Sequence, residues 1–260
     1  MLYTLAMTWA GERRLIVLSI LGAILVAFIV IILIATFYKS PTCTDGVRNQ
    51  NEQGIDCGGS CSYLCTANEE PPTVLFTKAI PSGVGRLDVV ALVENKNATA
   101  AAKDVPYTIT IYSFGQSLIQ RVSGTLDLPP AGSVPVFVPG IASGKQAVET
   151  SFLSIDGSAV RWYSLTSDPR ILPSVSDIVL AGSTSSPRVM ATLSNSDVAP
   201  MENVGVIAIV RDFSGNAIGA SATLIQTIQA LGKATATFTW NAPFDGIPVS
   251  IQVLPVIPLP

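Results

Sequence analysis

Four cysteines and a group of oxygen-bearing side chains are the residues whose types and spacing suggest chemistry. All lie in one stretch, PTCTDGVRNQNEQGIDCGGSCSYLC, which holds Cys43, Cys57, Cys61 and Cys65. The intervals between them contain 13, 3 and 3 residues, and the 195 residues from 66 to 260 contain no further cysteine. An even number of cysteines in a short stretch reads as two disulfides formed in an oxidising compartment. Structural zinc would need two separated C-x2-4-C knuckles, and the second knuckle is missing. Four cysteines allow three pairings, and spacing does not choose among them. The same stretch carries Asp45, Asn49, Glu52 and Asp56 on a glycine-rich loop. Ca2+ takes 6–8 oxygen ligands, so these four residues are the candidate cation set. Their spacing is not that of an EF-hand. The plainer reading is a solvated acidic loop whose Asp and Asn side chains cap turns.

Other chemistries are excluded by composition. The chain has no histidine, which removes Ser-His-Asp and Cys-His catalysis and His-ligated metals. A net charge of -3 offers no basic face for nucleic acid. Gly83-Val84-Gly85 lacks the third glycine and the helix of a dinucleotide fingerprint. No cofactor is expected beyond the Ca2+ considered above, and the chain reads as non-enzymatic. Asn97-Ala98-Thr99 forms a glycosylation sequon.

The cysteine stretch must be held by something, and the segment before it is apolar. Leu15 to Phe37 reads LIVLSILGAILVAFIVIILIATF, 23 residues without charge or proline. At ~1.5 Å per residue it spans about 35 Å, enough for a ~30 Å hydrocarbon core. Inside lipid every backbone amide must be satisfied within the segment, so the run predicts a helix. It is too long for the apolar core of a cleaved signal peptide, and bulky Phe37, Tyr38 and Lys39 stand where a cleavage site needs small residues. The expectation is an uncleaved signal anchor. Arg13 and Arg14 precede the run and only Lys39 follows closely, which puts residues 1–14 in the cytoplasm and the remainder outside.

Beyond the linker at 67–72 the pattern changes to short runs rich in Val, Ile, Thr and Tyr between Gly, Pro, Ser and Asn turns, an all-β pattern. It repeats. Val89, Ala91 and Val93 lead to Asn95, and one hundred positions later Val189, Ala191 and Leu193 lead to Asn195. At an offset of 99, Val105, Tyr107, Ile109 and Ile111 correspond to Val204, Val206, Ala208 and Val210. Phe114 then matches Phe213, and Ile119 matches Ile218, across hairpin turns. Each unit has room for roughly seven strands, the size of an immunoglobulin-like sandwich. The units are placed at 73–168 and 171–260. The short junction predicts a stiff tandem reaching on the order of 80 Å.

Two resemblances sharpen this outline. The pattern C-x-D-G-x-x-N-x-x-E-x-x-x-D-C-G-G-x-C-x-x-x-C over 43–65 resembles a small "DCGG" module of bacterial surface and secreted proteins, which implies surface location and no chemistry. The segments Ile111-Tyr112-Ser113-Phe114-Gly115 and Val210-Arg211-Asp212-Phe213-Ser214-Gly215-Asn216 resemble the "FxLYD" class of bacterial extracytoplasmic immunoglobulin-like domains. Ser113 stands where that class usually has aspartate, and Arg211 where it has tyrosine.

The sequence therefore predicts an all-β ectodomain of two tandem immunoglobulin-like β-sandwiches with one N-terminal transmembrane α-helix. A disulfide-rich knob at 40–66 joins them. The expected location is the cell membrane, single-pass, with the N-terminus cytoplasmic and the C-terminal domains extracytoplasmic. The expected partners are membrane lipid through residues 15–37 and a protein of the envelope. The expected role is structural, adhesive, or as a subunit of an envelope complex, with a Ca2+ or small-ligand sensor as the alternative.

Overall fold

The computed structural model describes residues 9–37, 42–49 and 51–260. The first element, α1, runs Trp9–Phe37, 29 residues. Within Arg13–Thr36 an 18-residue window reaches a mean hydropathy of 3.3, and none of that window is buried against the rest of the chain. It begins six residues before the apolar run, so Arg13 and Arg14 lie within the helix. Ala10, Glu12, Arg13 and Arg14 are good helix formers and carry the helix through Gly11. Of the expected cytoplasmic segment, residues 1–8 lie outside the described residues.

The rest of the fold is β-structure in four sheets. The first repeat contributes β1 (Thr73–Gly83), β2 (Arg86–Asn95), β3 (Ala100–Ser113), β4 (Leu118–Leu128), β5 (Gly132–Ala142), β6 (Val148–Ile155) and the short β7 (Trp162–Ser164). They form one sheet of order β1-β2-β5 and a second of order β4-β3-β6, with β7 also pairing β3. The second repeat contributes β8 (Ser174–Ser183), β9 (Ser186–Ser194), β10 (Met201–Arg211), β11 (Ala217–Ile228), β12 (Lys233–Thr239) and β13 (Ser250–Val256). Its sheets are β12-β9-β8 and β11-β10-β13. The two topologies coincide for β1–β6 when each label is advanced by seven, β7 having no counterpart in the second repeat, and every pairing is antiparallel.

Each repeat packs its two sheets on an alternating set of inward residues. Val89, Ala91 and Val93 of β2 face Val105, Ile109 and Ile111 of β3 in the first core, closed by Trp162. Val189, Ala191 and Leu193 of β9 face Val204, Val206, Ala208 and Val210 of β10 in the second, closed by Phe238. Trp240 packs beside Phe238 and donates Nε1–H to the Ala220 carbonyl at 3.0 Å. The aromatic pair on β12 and the loop that follows it is thus core material.

The two repeats do not extend end to end. A third apolar cluster joins them, with Ile80 and Val90 from β1-β2-β5 and Ile207, Ile209, Ala217 and Ala220 from β11-β10-β13. The Arg211 guanidinium stacks over the Phe76 ring at 4.4 Å across the same boundary. The β-structure is therefore a stack of four layers, β4-β3-β6, β1-β2-β5, β11-β10-β13 and β12-β9-β8, and the expected 80 Å reach is corrected to a side-by-side block. The physical reason is β10. It reads Val-Gly-Val-Ile-Ala-Ile-Val from 204 to 210, and its outward Ile207 and Ile209 would be exposed in an extended tandem.

Candidate functional site

The knob holds the residues singled out for chemistry. About two dozen residues cannot bury a sufficient core, so covalent closure replaces it. Cys43 pairs with Cys61 and Cys57 with Cys65, at sequence separations of 18 and 8. By loop-closure entropy these are worth about 3 and about 2.5 kcal/mol. Among the described residues no cysteine is free.

The four candidate cation ligands are brought into one network, and the three carboxylates, Asp45, Glu52 and Asp56, accept backbone N–H groups. Asp45 accepts from Val47 N at 2.9 Å through Oδ1, and from Thr42 N and Asn49 Nδ2 at 3.1 and 2.9 Å through Oδ2. Asp56 accepts from Asp45 N and Gly46 N. Glu52, 5% exposed, accepts from Asn49 N at 3.1 Å. Carboxylates engaged in this way behave as turn caps. Asn49 Oδ1 is buried and without a partner. Cys43, Glu52 and Cys61 also approach one another, but both sulfurs are spent in the disulfide, which leaves one carboxylate and no thiolate. The glycine pair after Cys57 has a steric cause. At Gly59 the backbone is left-handed, and a Cβ would lie 2.0 Å from the Asn51 carbonyl oxygen.

The knob is seated on the first sandwich. Leu64 N donates to the Trp162 carbonyl at 2.8 Å, and Tyr63 bridges Tyr163. Leu64 packs against the first core, and the Arg161 guanidinium lies 4.6 Å over the Tyr63 ring. Asn97 Oδ1 accepts from Glu70 N, and Asn97 Nδ2 donates to the Glu70 carbonyl. The amide nitrogen a sequon would modify thus already joins the linker to the sandwich. Trp162 is buried, whereas Tyr163 is half-buried, its hydroxyl pKa raised first by burial and then by Asp127.

Sequence reasoning missed a residue that both repeats use. Asn95 is fully buried. Its Nδ2 donates to the Ala100 and Pro129 carbonyls, both at 2.8 Å, and its Oδ1 accepts from Asn97 N. Asn195 repeats the arrangement, donating to the carbonyls of Ala199, Ile228 and Gln229 and accepting from Asp197 N. Each asparagine ties the loop after the second strand of its repeat to the loop after the fourth. The clue was present, because Asn ends both aligned trios.

A cleft of about 380 Å³ between the repeats, on the knob side, holds two carboxylates, Asp104 and Asp127. Asp127 accepts from Asp104 N and from Leu259 N, at 2.9 and 2.7 Å, so both its oxygens anchor backbone. The junction is fixed there by Arg170, which forks onto Asp168 and donates Nη1–H to the Ile257 carbonyl.

No protein-family model matches the chain, and no curated protein sequence matches it. Among solved structures, a red sea bream transglutaminase is similar at 12% identity and a TM-score of 0.23, over 72% of this chain and 31% of that one. The chain spans about a third of that structure's length, and a likeness so slight carries no functional argument.

Proposed function

We propose that this chain is a non-enzymatic, single-pass membrane protein. On this reading it displays a rigid block of two immunoglobulin-like sandwiches outside the cytoplasmic membrane of a bacterium. Its role is structural or adhesive, or that of a subunit in an envelope complex. The observation that carries the reading is α1, in which an 18-residue window has a mean hydropathy of 3.3 and no residue buried against the rest of the chain. Such a rod is stable only where lipid replaces water around it. The disulfides just beyond it favour an oxidising side. The resemblance to DCGG and FxLYD segments points the same way. Asp45, Glu52 and Asp56 in the knob and Asp127 in the knob-side cleft accept backbone N–H groups, which supports a structural role for them.

Carbonate extraction combined with maleimide mass-tagging tests the reading. The chain should remain in the membrane pellet, and its four cysteines should tag only after reduction. Release into the supernatant, or tagging without reductant, would contradict it. A second reading, Ca2+ binding by Asp45, Asn49, Glu52 and Asp56, has one observation in its favour, the unpartnered Asn49 Oδ1.

A further inference from the structure

Strands alternate in direction, so the loops of the β-block divide between two ends. The knob sits at the end with the loops after β2 and β4, where it meets Asn97 and Trp162. At the opposite end are the β1–β2, β3–β4, β5–β6, β8–β9, β10–β11 and β12–β13 connections. Four of them present a large apolar side chain to solvent: Val84 at 105% exposure, Phe114 at 70%, Phe213 at 91% and Ile247 at 81%. Phe114 and Phe213 are equivalent in the two repeats, and neither belongs to a core cluster. The tips belong to three successive layers. With sheets about 10 Å apart, they form a row on the order of 20 Å across.

Between these tips a cleft of about 680 Å³ opens across the two repeats. Lys78, Arg86 and Lys145 line its first-repeat wall, and Asp212 and Asp245 its other wall. The three cations have no ion pair among the described residues. Asp212 is turned into its own hairpin, accepting from Asn216 N and Nδ2, which lowers its pKa.

We propose that this end docks on an anionic phospholipid bilayer, with headgroup phosphates entering the cationic wall and the four tips entering the interface. The inference goes beyond the display reading, because it assigns the far end a surface to meet. Two features favour lipid over a folded partner. The apolar side chains stand singly on separate loops with polar residues between them. A fluid surface accepts that arrangement, whereas a protein interface needs a contiguous, complementary patch. The hairpin backbones are also already satisfied, by Ser113 N to Ser117 O, Gln116 N to Ser113 O, Asp212 N to Asn216 O and Gly215 N to Asp212 O. These turn-closing bonds lower the cost of bringing the Phe114 and Phe213 hairpins into an apolar interface. Cations behind apolar tips add attraction to anionic headgroups.

The test uses the full chain in phosphatidylcholine nanodiscs, floated with vesicles of phosphatidylglycerol or of phosphatidylcholine. Discs should float with phosphatidylglycerol vesicles. The pairs Phe114→Ser with Phe213→Ser, and Arg86→Glu with Lys145→Glu, should each lower flotation by at least ~10-fold. Phe152→Ser, on an exposed residue of β6 away from the tips, should float as the parent does. All substituted positions are at the surface, so an unchanged melting temperature confirms folding. Parent discs that stay behind, or tip variants that float equally well, would overturn the proposal. So would discs that pair with one another without vesicles, which would make a second copy the occupant. Inorganic phosphate that abolishes flotation while the phenylalanine pair has no effect would reduce the cleft to a free-anion site.

Discussion

Asn95 and Asn195 are buried polar side chains in otherwise apolar sandwiches, and each is satisfied by three or four hydrogen bonds. Removing one leaves buried carbonyls without donors, at about 1–3 kcal/mol in total. Asn195→Ala should lower the melting temperature by about 3–10 °C, measured by calorimetry in detergent. A second test concerns the junction. Arg170 holds the Asp168 carboxyl below its usual pKa. A pKa depressed by folding stabilises the protein above the ordinary carboxylate range, and that contribution is lost as pH falls through the depressed value. Asp168→Asn should therefore reduce the melting temperature at neutral pH, and the gap to the parent should close in strong acid. A gap that persists unchanged in acid would contradict the assignment. A third concerns the knob. With Asp45, Glu52 and Asp56 occupied by backbone N–H groups, millimolar Ca2+ or a chelator should leave the melting curve in place. A rise in melting temperature with Ca2+ would favour the cation reading instead.

At the scale of elements, the alternating trios on β2 and β9 and the hairpins after β3 and β10 were legible. Period-two patterns and turn residues are local, and the repeat doubled each of them. The relation between the repeats was also written in the sequence, but in a comparison of outward faces. Thr108 and Thr110 of β3 occupy the positions of Ile207 and Ile209 of β10. The first pair faces outward, where Thr108 approaches Ser123, and the second pair is buried against β1-β2-β5. Only one copy of that face is apolar, so the stack ends after two units rather than growing through a head-to-tail contact. Ile209→Asp should therefore separate the repeats without unfolding either core. Limited proteolysis should then cut the 165–173 junction, and an uncut junction would argue against the interface. The knob's pairing was not legible, because it depends on which loops fold back at Gly59 and on the seat against Trp162. Both are set by tertiary packing.

For the whole molecule, the parts form one sequence of supports: an uncovered apolar rod, a covalently closed knob, and a four-layer block seated on it through Tyr63, Leu64 and Asn97. The block is joined internally by the apolar contact, by Arg211 over Phe76 and by Leu259 on Asp127, so it presents two fixed ends rather than a flexible string. The length of α1 and the clustering of the cysteines made the order of these parts readable, since both are properties of contiguous sequence. Which way the assembly faces is the claim on which the rest depends. Protease added to sealed spheroplasts expressing the full chain tests it most directly. The account predicts loss of the β-block while cytoplasmic markers stay intact, and a fully protected β-block would contradict it.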